Sequence, residues 1–392
     1  MRADEALDEA VILTQALLRI PSVTPDAGAA IAHLQGWLEA RGFRCARPDR
    51  NGVPNLFARY GEGRPVFAFN GHLDVVPPGG GWTRDPWGAE LESGRIYGRG
   101  AADMKSGVAA FAVAATRFLA ANPGFGGSIL LLITGDEEGP SVDGTPALLD
   151  WMAARGERPD HCLVGEPTCP ERMGEMMKIG RRGSVTFALT ARGSQGHAAY
   201  PHRARNPIPP LMKLLDRLAS EPLDAGTAHF EPSTLSIVTV DVGNPADNVI
   251  PAEARAKLNI RFNDAHTADS LQKRIEAAAA EIFPPTGVDL DLTRRVSGVS
   301  FVTEPGPFTD LLRDSVEAST GLRPELSTSG GTSDARYMQA VCPVAEFGLV
   351  GATLHKADEW VEAAHVVQLA EIHQAILERY FKAFGGAFGT AS

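Results

Sequence analysis

Histidines and acidic residues recur in this chain at one kind of place. His72 and Asp74 follow the apolar run Pro65-Val66-Phe67-Ala68-Phe69-Asn70-Gly71, which reads as a strand. The triplet Asp136-Glu137-Glu138 follows a second such run ending at Thr134, Glu166 follows Cys162-Leu163-Val164, and His355 lies just past a run near Leu349. Asp103 precedes an Ala-rich helical stretch that starts at Lys105. If the strands are parallel, their carboxyl ends share one sheet edge, where α/β folds place their sites. Carboxylates gathered there raise one another's pKa values unless a cation compensates. A metal is therefore expected, and more than one if all of these groups ligate. Two histidines with three or four carboxylates suit zinc, with manganese or cobalt as substitutes. One carboxylate, best Asp103, can bridge two ions about 3.5–4 Å apart. Asp74 can accept the second ring N–H of His72 and hold its tautomer. Glu137 and Glu138 are adjacent, so on a loop their side chains diverge, and one can ligate while the other works as a base. Taken singly, an H-x-D pair or an acidic triplet is ordinary loop polarity. The joint placement of separate segments at strand ends carries the expectation.

The elements that must position these groups follow from the apolar pattern. Ala6 to Ile20 recurs at helical spacing and stops at Pro21, and a second helix is predicted over Asp26 to Arg41. Strands are predicted around Asn55–Tyr60, over the run ending at Gly71, at Ser128–Thr134 and at Cys162–Val164, alternating with helices over Lys105–Ala121 and Pro146–Arg155. Such alternation implies βαβ units and a mainly parallel sheet buried on both faces. From Arg181 the rhythm changes to strand Ser184–Ala191, helix Pro207–Ala219, strands Thr234–Val242 and Ala254–Phe262, helix Ala268–Ile282 and strand Val288–Leu292. That β-α-β-β-α-β order is the ferredoxin-like arrangement. The expected architecture is an α/β catalytic domain, residues 1–180 and 293–392, interrupted by an α+β lid and dimerisation domain over 181–292. The α/β pattern resumes with helix Phe308–Ala318, a strand near Val344–Leu349 and a final helix Val361–Phe384.

Composition excludes other classes. At 392 residues, 44% hydrophobic and 22% charged, the chain is long enough for two sizeable cores and too apolar for disorder. A net charge of −11 with no like-charge run of five makes nucleic acid an unexpected partner. Cys45, Cys162, Cys169 and Cys342 form no C-x-x-C pair, which fits a reducing cytoplasm. Met1 to Ala10 carries four acidic residues and no apolar core of a signal peptide, and no continuous apolar stretch approaches the ~20 residues of a membrane span.

The segments Gly71-His72-Leu73-Asp74-Val75-Val76-Pro77, Tyr97-Gly98-Arg99-Gly100-Ala101-Ala102-Asp103-Met104-Lys105, Asp136-Glu137-Glu138-Gly139 and Gly165-Glu166-Pro167-Thr168 resemble, in order and spacing, the di-zinc aminoacylase and carboxypeptidase family across nearly the whole chain. The resemblance implies that Asp103 bridges two zinc ions, with His72 and Glu166 completing one and Glu138 and His355 the other. It implies Glu137 as the general base, Asp74 behind His72, and a cis peptide at Asp103-Met104. It further implies a homodimer through the inserted domain, with His197 reaching the partner's active site. The only direct sequence support for the dimer is the apolar alternation of Thr234–Val242, which can serve as an edge for pairing. Leu73 departs from the Thr more usual between this His and Asp, and alternation points it away from the metals.

Further motifs narrow the branch: Arg181-Arg182-Gly183-Ser184, Gly196-His197-Ala198-Ala199-Tyr200-Pro201-His202, Asn248-Val249-Ile250-Pro251, Ser329-Gly330-Gly331-Thr332-Ser333-Asp334 and Thr353-Leu354-His355-Lys356. They resemble the branch that hydrolyses N-succinyl-LL-2,6-diaminopimelate to succinate and LL-2,6-diaminopimelate, on the route to lysine and the cell wall. That substrate carries three carboxylates, for which Arg181, Arg261, Tyr200, Asn248, Gly331 and Thr332 are the candidate partners, the arginines favoured for their planar fork. Arg182 reads as structural. The alternatives are a sister amidohydrolase, such as an acetylornithine deacetylase or a dipeptidase, and a metal-binding module without catalysis. The joint presence of Glu137 and every candidate ligand argues against the last.

Overall fold

The runs that end at His72 and Thr134 lack polar alternation because both their faces are covered: Val66–His72 and Ser128–Thr134 are buried at every position. They pair parallel with each other, Val66–His72 pairs parallel with His161–Val164, and that strand with Val344–Glu346. This parallel centre belongs to an eight-stranded sheet whose order runs Arg44–Ala46, Asn55–Tyr60, Ser128–Thr134, Val66–His72, His161–Val164, Val344–Glu346, Met176–Lys178, Glu325–Ser327. The computed structural model describes residues 7–385. Within them the chain forms two compact units: residues up to Ile179 with Thr303–Ser327 and those from Ser333 onward, and Gly180–Val302 with Thr328–Thr332.

In the first unit the helix Ser106–Ala121 packs against the long helix Ala363–Phe384 and against the sheet. Phe69 stacks on Phe111 at 4.2 Å between centroids, Phe67 meets Tyr380 edge-on at 4.8 Å, and Phe118 stacks on Phe381 at 5.4 Å. Such pairs add about 0.5–1.5 kcal/mol each beyond area burial. The stretch Ala101–Ala121 is long and apolar enough to cross a membrane, but 72% of its 18-residue apolar window is buried inside the protein. Its apolarity is that of a core helix. The opening helix is shorter than its periodicity implied, Glu9–Leu18, because Asp8 caps it by accepting the Ala10 N–H at 2.8 Å. Ala6 lies outside the described residues.

The second unit is an antiparallel sheet ordered Thr234–Asp241, Glu253–Phe262, Gly183–Arg192, Asp289–Gly298, with helices Ile208–Ser220 and Ala268–Ile282. Val185, Phe187 and Leu189 alternate inward with Leu258 and Ile260, against Leu211, Leu214, Leu271 and Ile275. Its boundaries correct the expected 181–292. The fourth strand continues to Gly298, where Arg294 and Arg295 interrupt the apolar alternation, and Phe301–Val302 then pairs with Gly180–Arg181. Thr328–Thr332, expected in the catalytic domain, joins this unit because Arg181 reaches back to it: its Nη1 donates to Ser329 O at 3.4 Å and Gly331 O at 3.1 Å. Gly330 is required there, since its φ is +101° and an added Cβ would lie 2.7 Å from Arg181 Nη1.

Candidate metal centre

His72 is the last residue of its strand and only 1% exposed. Its Nδ1 lies 2.9 Å from the backbone oxygen of Asp74, which can only accept, so Nδ1 carries a proton and Nε2 is the atom that ligates once it gives up its own. Nε2 points at Asp103 Oδ1, 3.2 Å away, and Glu166 Oε1, 3.7 Å away. The other oxygen of Asp103 faces His355, with Oδ2 3.3 Å from His355 Nε2, and Glu138 Oε1 stands 2.8 Å from the same nitrogen. Asp103 thus turns one oxygen to each imidazole, the disposition of a carboxylate shared between two cations. The peptide Asp103-Met104 is cis, and His355 has a φ of +60°, an uncommon backbone for a residue with a side chain.

Asp74 corrects one expectation. Its carboxylate is 3.6 Å from His72 Nδ1, and the ring proton goes to its backbone oxygen instead. The carboxylate accepts the N–H groups of Glu137 at 3.2 Å and Glu138 at 3.0 Å, so it fixes the peptide from which those two side chains diverge. Burial pushes the Asp74 pKa up to about 6 against the pull of His72 and the two amides. The third acid of the triplet is structural: Asp136 accepts the N–H groups of Val142 at 2.9 Å and Asp143 at 3.1 Å.

Charge within the cluster is unbalanced. Burial lifts Glu137 and Glu166 well above the usual carboxylate range, and neighbouring carboxylates lift them further: Asp334, Glu138 and Asp103 act on Glu137, Asp103 and Glu137 on Glu166. Hydrogen bonds to Asp103 and Glu138 push the His355 imidazole up to about 10, against its desolvation. On His72 desolvation opposes, but Asp103, Glu166 and Asp74 raise it well above its ordinary value. Burial acts to raise Asp103, yet the two imidazoles hold it below its usual range. Both histidines therefore serve as the positive charge that the carboxylates require. A divalent cation answers the same demand, and the donor set fits one: ligand atoms of His72, Asp103 and Glu138, and again of His72, Glu137 and Glu166, lie within 4.8 Å of one another. Imidazole and carboxylate donors suit zinc, manganese or cobalt alike.

Two acids escaped sequence reasoning. Asp334, 2% exposed, accepts Ser141 Oγ at 3.1 Å and Thr145 Oγ1 at 2.8 Å and adds its charge against Glu137. Glu359 is fully buried and holds the backbone around Asp103. No periodicity marks either residue, although Asp334 closes one of the quoted motifs.

The remaining predicted residues belong to the second unit. His197 is exposed; its Nδ1 accepts the Ala199 N–H at 3.0 Å, which leaves the proton on Nε2 as a donor. Tyr200 is half-exposed and edge-on to His197, their ring centroids 5.8 Å apart, and Asn248 is exposed with its backbone oxygen accepting the Ala198 N–H at 2.8 Å. Burial and the neighbouring Arg182 lower the Arg261 pKa, and Arg182 Nε is buried without a hydrogen-bond partner. Two like charges side by side there favour an anion. Gly331 is exposed and Thr332 half-buried; the carbonyl of Gly331 is engaged by Arg181.

Residues 68–379 match the model of peptidase family M20/M25/M40. The chain is 59% identical over 375 residues to a protein of Cereibacter sphaeroides named succinyl-diaminopimelate desuccinylase, covering 95% of this chain and 98% of that one. A Paracoccus denitrificans protein of the same name is 60% identical over 372 residues, 94% and 97% of the two chains. Among solved structures, aminopeptidase PepT of Bacillus cereus aligns at a TM-score of 0.79 with 18% identity over 95% of this chain and 98% of that one. Bacillus subtilis YXEP, a dinuclear metal-binding peptidase of the M20 family, aligns at 0.71 with 14% identity over 95% and 98%. With its α/β catalytic sheet and its acids and imidazoles at the strand ends, this chain belongs to peptidase family M20/M25/M40.

Proposed function

We propose that this chain is a metal-dependent amide hydrolase that cleaves N-succinyl-LL-2,6-diaminopimelate to succinate and LL-2,6-diaminopimelate, with two zinc ions per subunit, in the cytoplasm. The observation that carries the chemistry is Asp103 turned to His72 on one side and His355 on the other. Near-full-length similarity to proteins named for this reaction supports the substrate. Glu166 would join His72, and Glu138 would join His355, with cobalt or manganese as substitutes. Divalent cations held there polarise a carbonyl oxygen and acidify water. Glu137, whose backbone Asp74 fixes, takes the proton of the attacking water and returns it to the leaving amine. The fork of Arg181 and that of Arg261 would hold substrate carboxylates, with Tyr200, Asn248, Gly331 and Thr332 supplying the polar remainder.

Turnover of N-succinyl-LL-diaminopimelate and of N-acetylornithine, measured side by side on protein stripped of metal and titrated with Zn²⁺, tests this reading. The succinylated substrate should be turned over at a rate that rises toward two equivalents. Tight binding of two zincs with turnover of the acetylated substrate alone would overturn the substrate assignment.

We also propose a homodimer in which His197 donates its Nε2–H to the carbonyl oxygen in the partner's site. The edge strand Thr234–Asp241, with Ile237, Val238 and Val240 at 39%, 52% and 53% exposure, offers an apolar pairing edge. His197→Ala should lower kcat by about 10²–10³, the effect of removing one oxyanion donor. Refolding H197A with Glu137→Gln in equal amounts should restore roughly a quarter of wild-type turnover, because mixed C2 dimers hold one intact site. Absence of recovery would place His197 outside the partner's chemistry.

A further inference from the structure

Glu359 sits between Asp358 and Trp360, is 0% exposed, and has a carboxylate saturated by four donors. Oε1 accepts the N–H groups of Ala102 at 2.7 Å and Asp103 at 3.1 Å. Oε2 accepts the Gly100 N–H at 3.0 Å and Arg99 Nη1 at 2.7 Å. A buried carboxylate is costly unless paired and fully hydrogen-bonded, and one guanidinium with three amides meets both conditions. Those three amides all lie in the turn that delivers Asp103.

The far end of the connection is equally fixed. Thr353 Oγ1 donates to Trp360 O at 2.7 Å and accepts the Trp360 N–H at 3.2 Å, closing the loop 353–360 on itself. His355 is carried inside that loop. Asp358, beside Glu359, accepts the Thr83 N–H at 2.9 Å, Thr83 Oγ1 at 2.7 Å and the Arg84 N–H at 3.2 Å, so the loop is moored at a second point. The loop that presents His355 therefore grips the backbone that presents Asp103.

We infer that Glu359 is a positioning residue that sets the register between Asp103 and His355 and thereby tunes affinity at both metal positions together, through the Gly100–Asp103 backbone amides. The inference rests on the reading of Asp103 as a ligand shared by two ions. Substitution by an amide should be sufficient to expose the role. Glu359→Gln keeps the volume but has a single acceptor oxygen, and its NH2 would face donors, leaving two of the four unpaired and Arg99 without a counter-charge.

Zinc affinity, read by competition with a chromophoric chelator on stripped protein, and the visible spectrum of the Co²⁺-loaded protein form the test. In E359Q both equivalents should weaken about 10–100-fold, the usual effect of removing a partner that orients ligands, and the Co²⁺ bands should shift. His355→Ala should weaken one equivalent only. Thr353→Val, which loosens the loop without unpairing a buried charge, should weaken both in the same direction by less, and it serves where E359Q does not fold. A purely structural role would lower the urea midpoint and leave affinities and spectrum unchanged. Wild-type affinity at both equivalents in folded E359Q or T353V, with both lost in Asp103→Ala, would overturn the positioning role alone. Retention of both equivalents in D103A would overturn the shared-ligand reading and this inference with it.

Discussion

Glu137→Gln is expected to lower kcat by about 10²–10⁴, the span that a positioned general base contributes, while zinc still binds with near wild-type affinity. The side chain keeps its shape and an acceptor oxygen but can no longer take a proton. Its backbone N–H remains on Asp74, so the neighbouring Glu138 keeps its position 2.8 Å from His355 Nε2. Glu138→Gln supplies the contrast. There the loss should fall on metal affinity first, and added Zn²⁺ should restore part of the turnover, because an amide oxygen is a weaker neutral ligand than a carboxylate. Two adjacent glutamates are thereby separated by the kind of defect each causes. Zinc stoichiometry by titration and kcat at saturating Zn²⁺ distinguish them, and near-normal turnover by E137Q would remove it as the base.

Asp74 explains why the two side chains can do different work. A carboxylate that accepts two consecutive amides holds the peptide between them rigid, and the two adjacent side chains leave that fixed turn in different directions. The H-x-D spacing made Asp74 visible as a partner of His72, but its real contacts lie 63 and 64 residues away, and spacing along one strand carries no information about them. Glu359 was invisible for the same reason in stronger form. Its partners are backbone amides 256 to 259 residues distant, and a loop acid beside Asp358 looks like ordinary surface polarity.

What the sequence made legible was the set of groups whose position follows from a strand. His72, Glu137, Glu138 and Glu166 come at or just after the ends of fully apolar runs, and such runs have few places to go other than the centre of a parallel sheet. Short strands were lost: Arg44–Ala46, Met176–Lys178 and Glu325–Ser327 have three residues each, too few to display a period of two. The limit of the second unit was missed where Asp289–Gly298 runs on past Leu292 with exposed arginines. Its pairing with Gly183–Arg192, rather than any apolar pattern, keeps it a strand.

Acid should destabilise this protein through a residue remote from hydrolysis, and His373→Leu should remove that sensitivity. His373 lies in the helix Ala363–Phe384, fully buried, edge-on to Phe69 at 5.9 Å and Phe111 at 5.4 Å between centroids, and neither ring nitrogen has a hydrogen-bond partner. Burial alone pushes its pKa down to about 3 from an ordinary value of 6.5. Above pH 6.5 the imidazole is neutral whether folded or unfolded, and it places no proton-linked load on folding. As pH falls from 6.5 toward 3 the unfolded chain binds a proton that the folded chain refuses, so stability is lost at about 1.4 kcal/mol per pH unit, about 2 kcal/mol by pH 5. Leucine, of similar volume, cannot titrate and carries no unpaired nitrogen. H373L should gain about 1–3 kcal/mol at pH 7 from removing buried polar atoms without partners, and the gap should widen by about 2 kcal/mol at pH 5. Urea midpoints of the two proteins at each pH measure this. Carboxylates that titrate in both proteins cancel in the difference, so an equal gap at pH 7 and pH 5 would mean that His373 is not buried neutral.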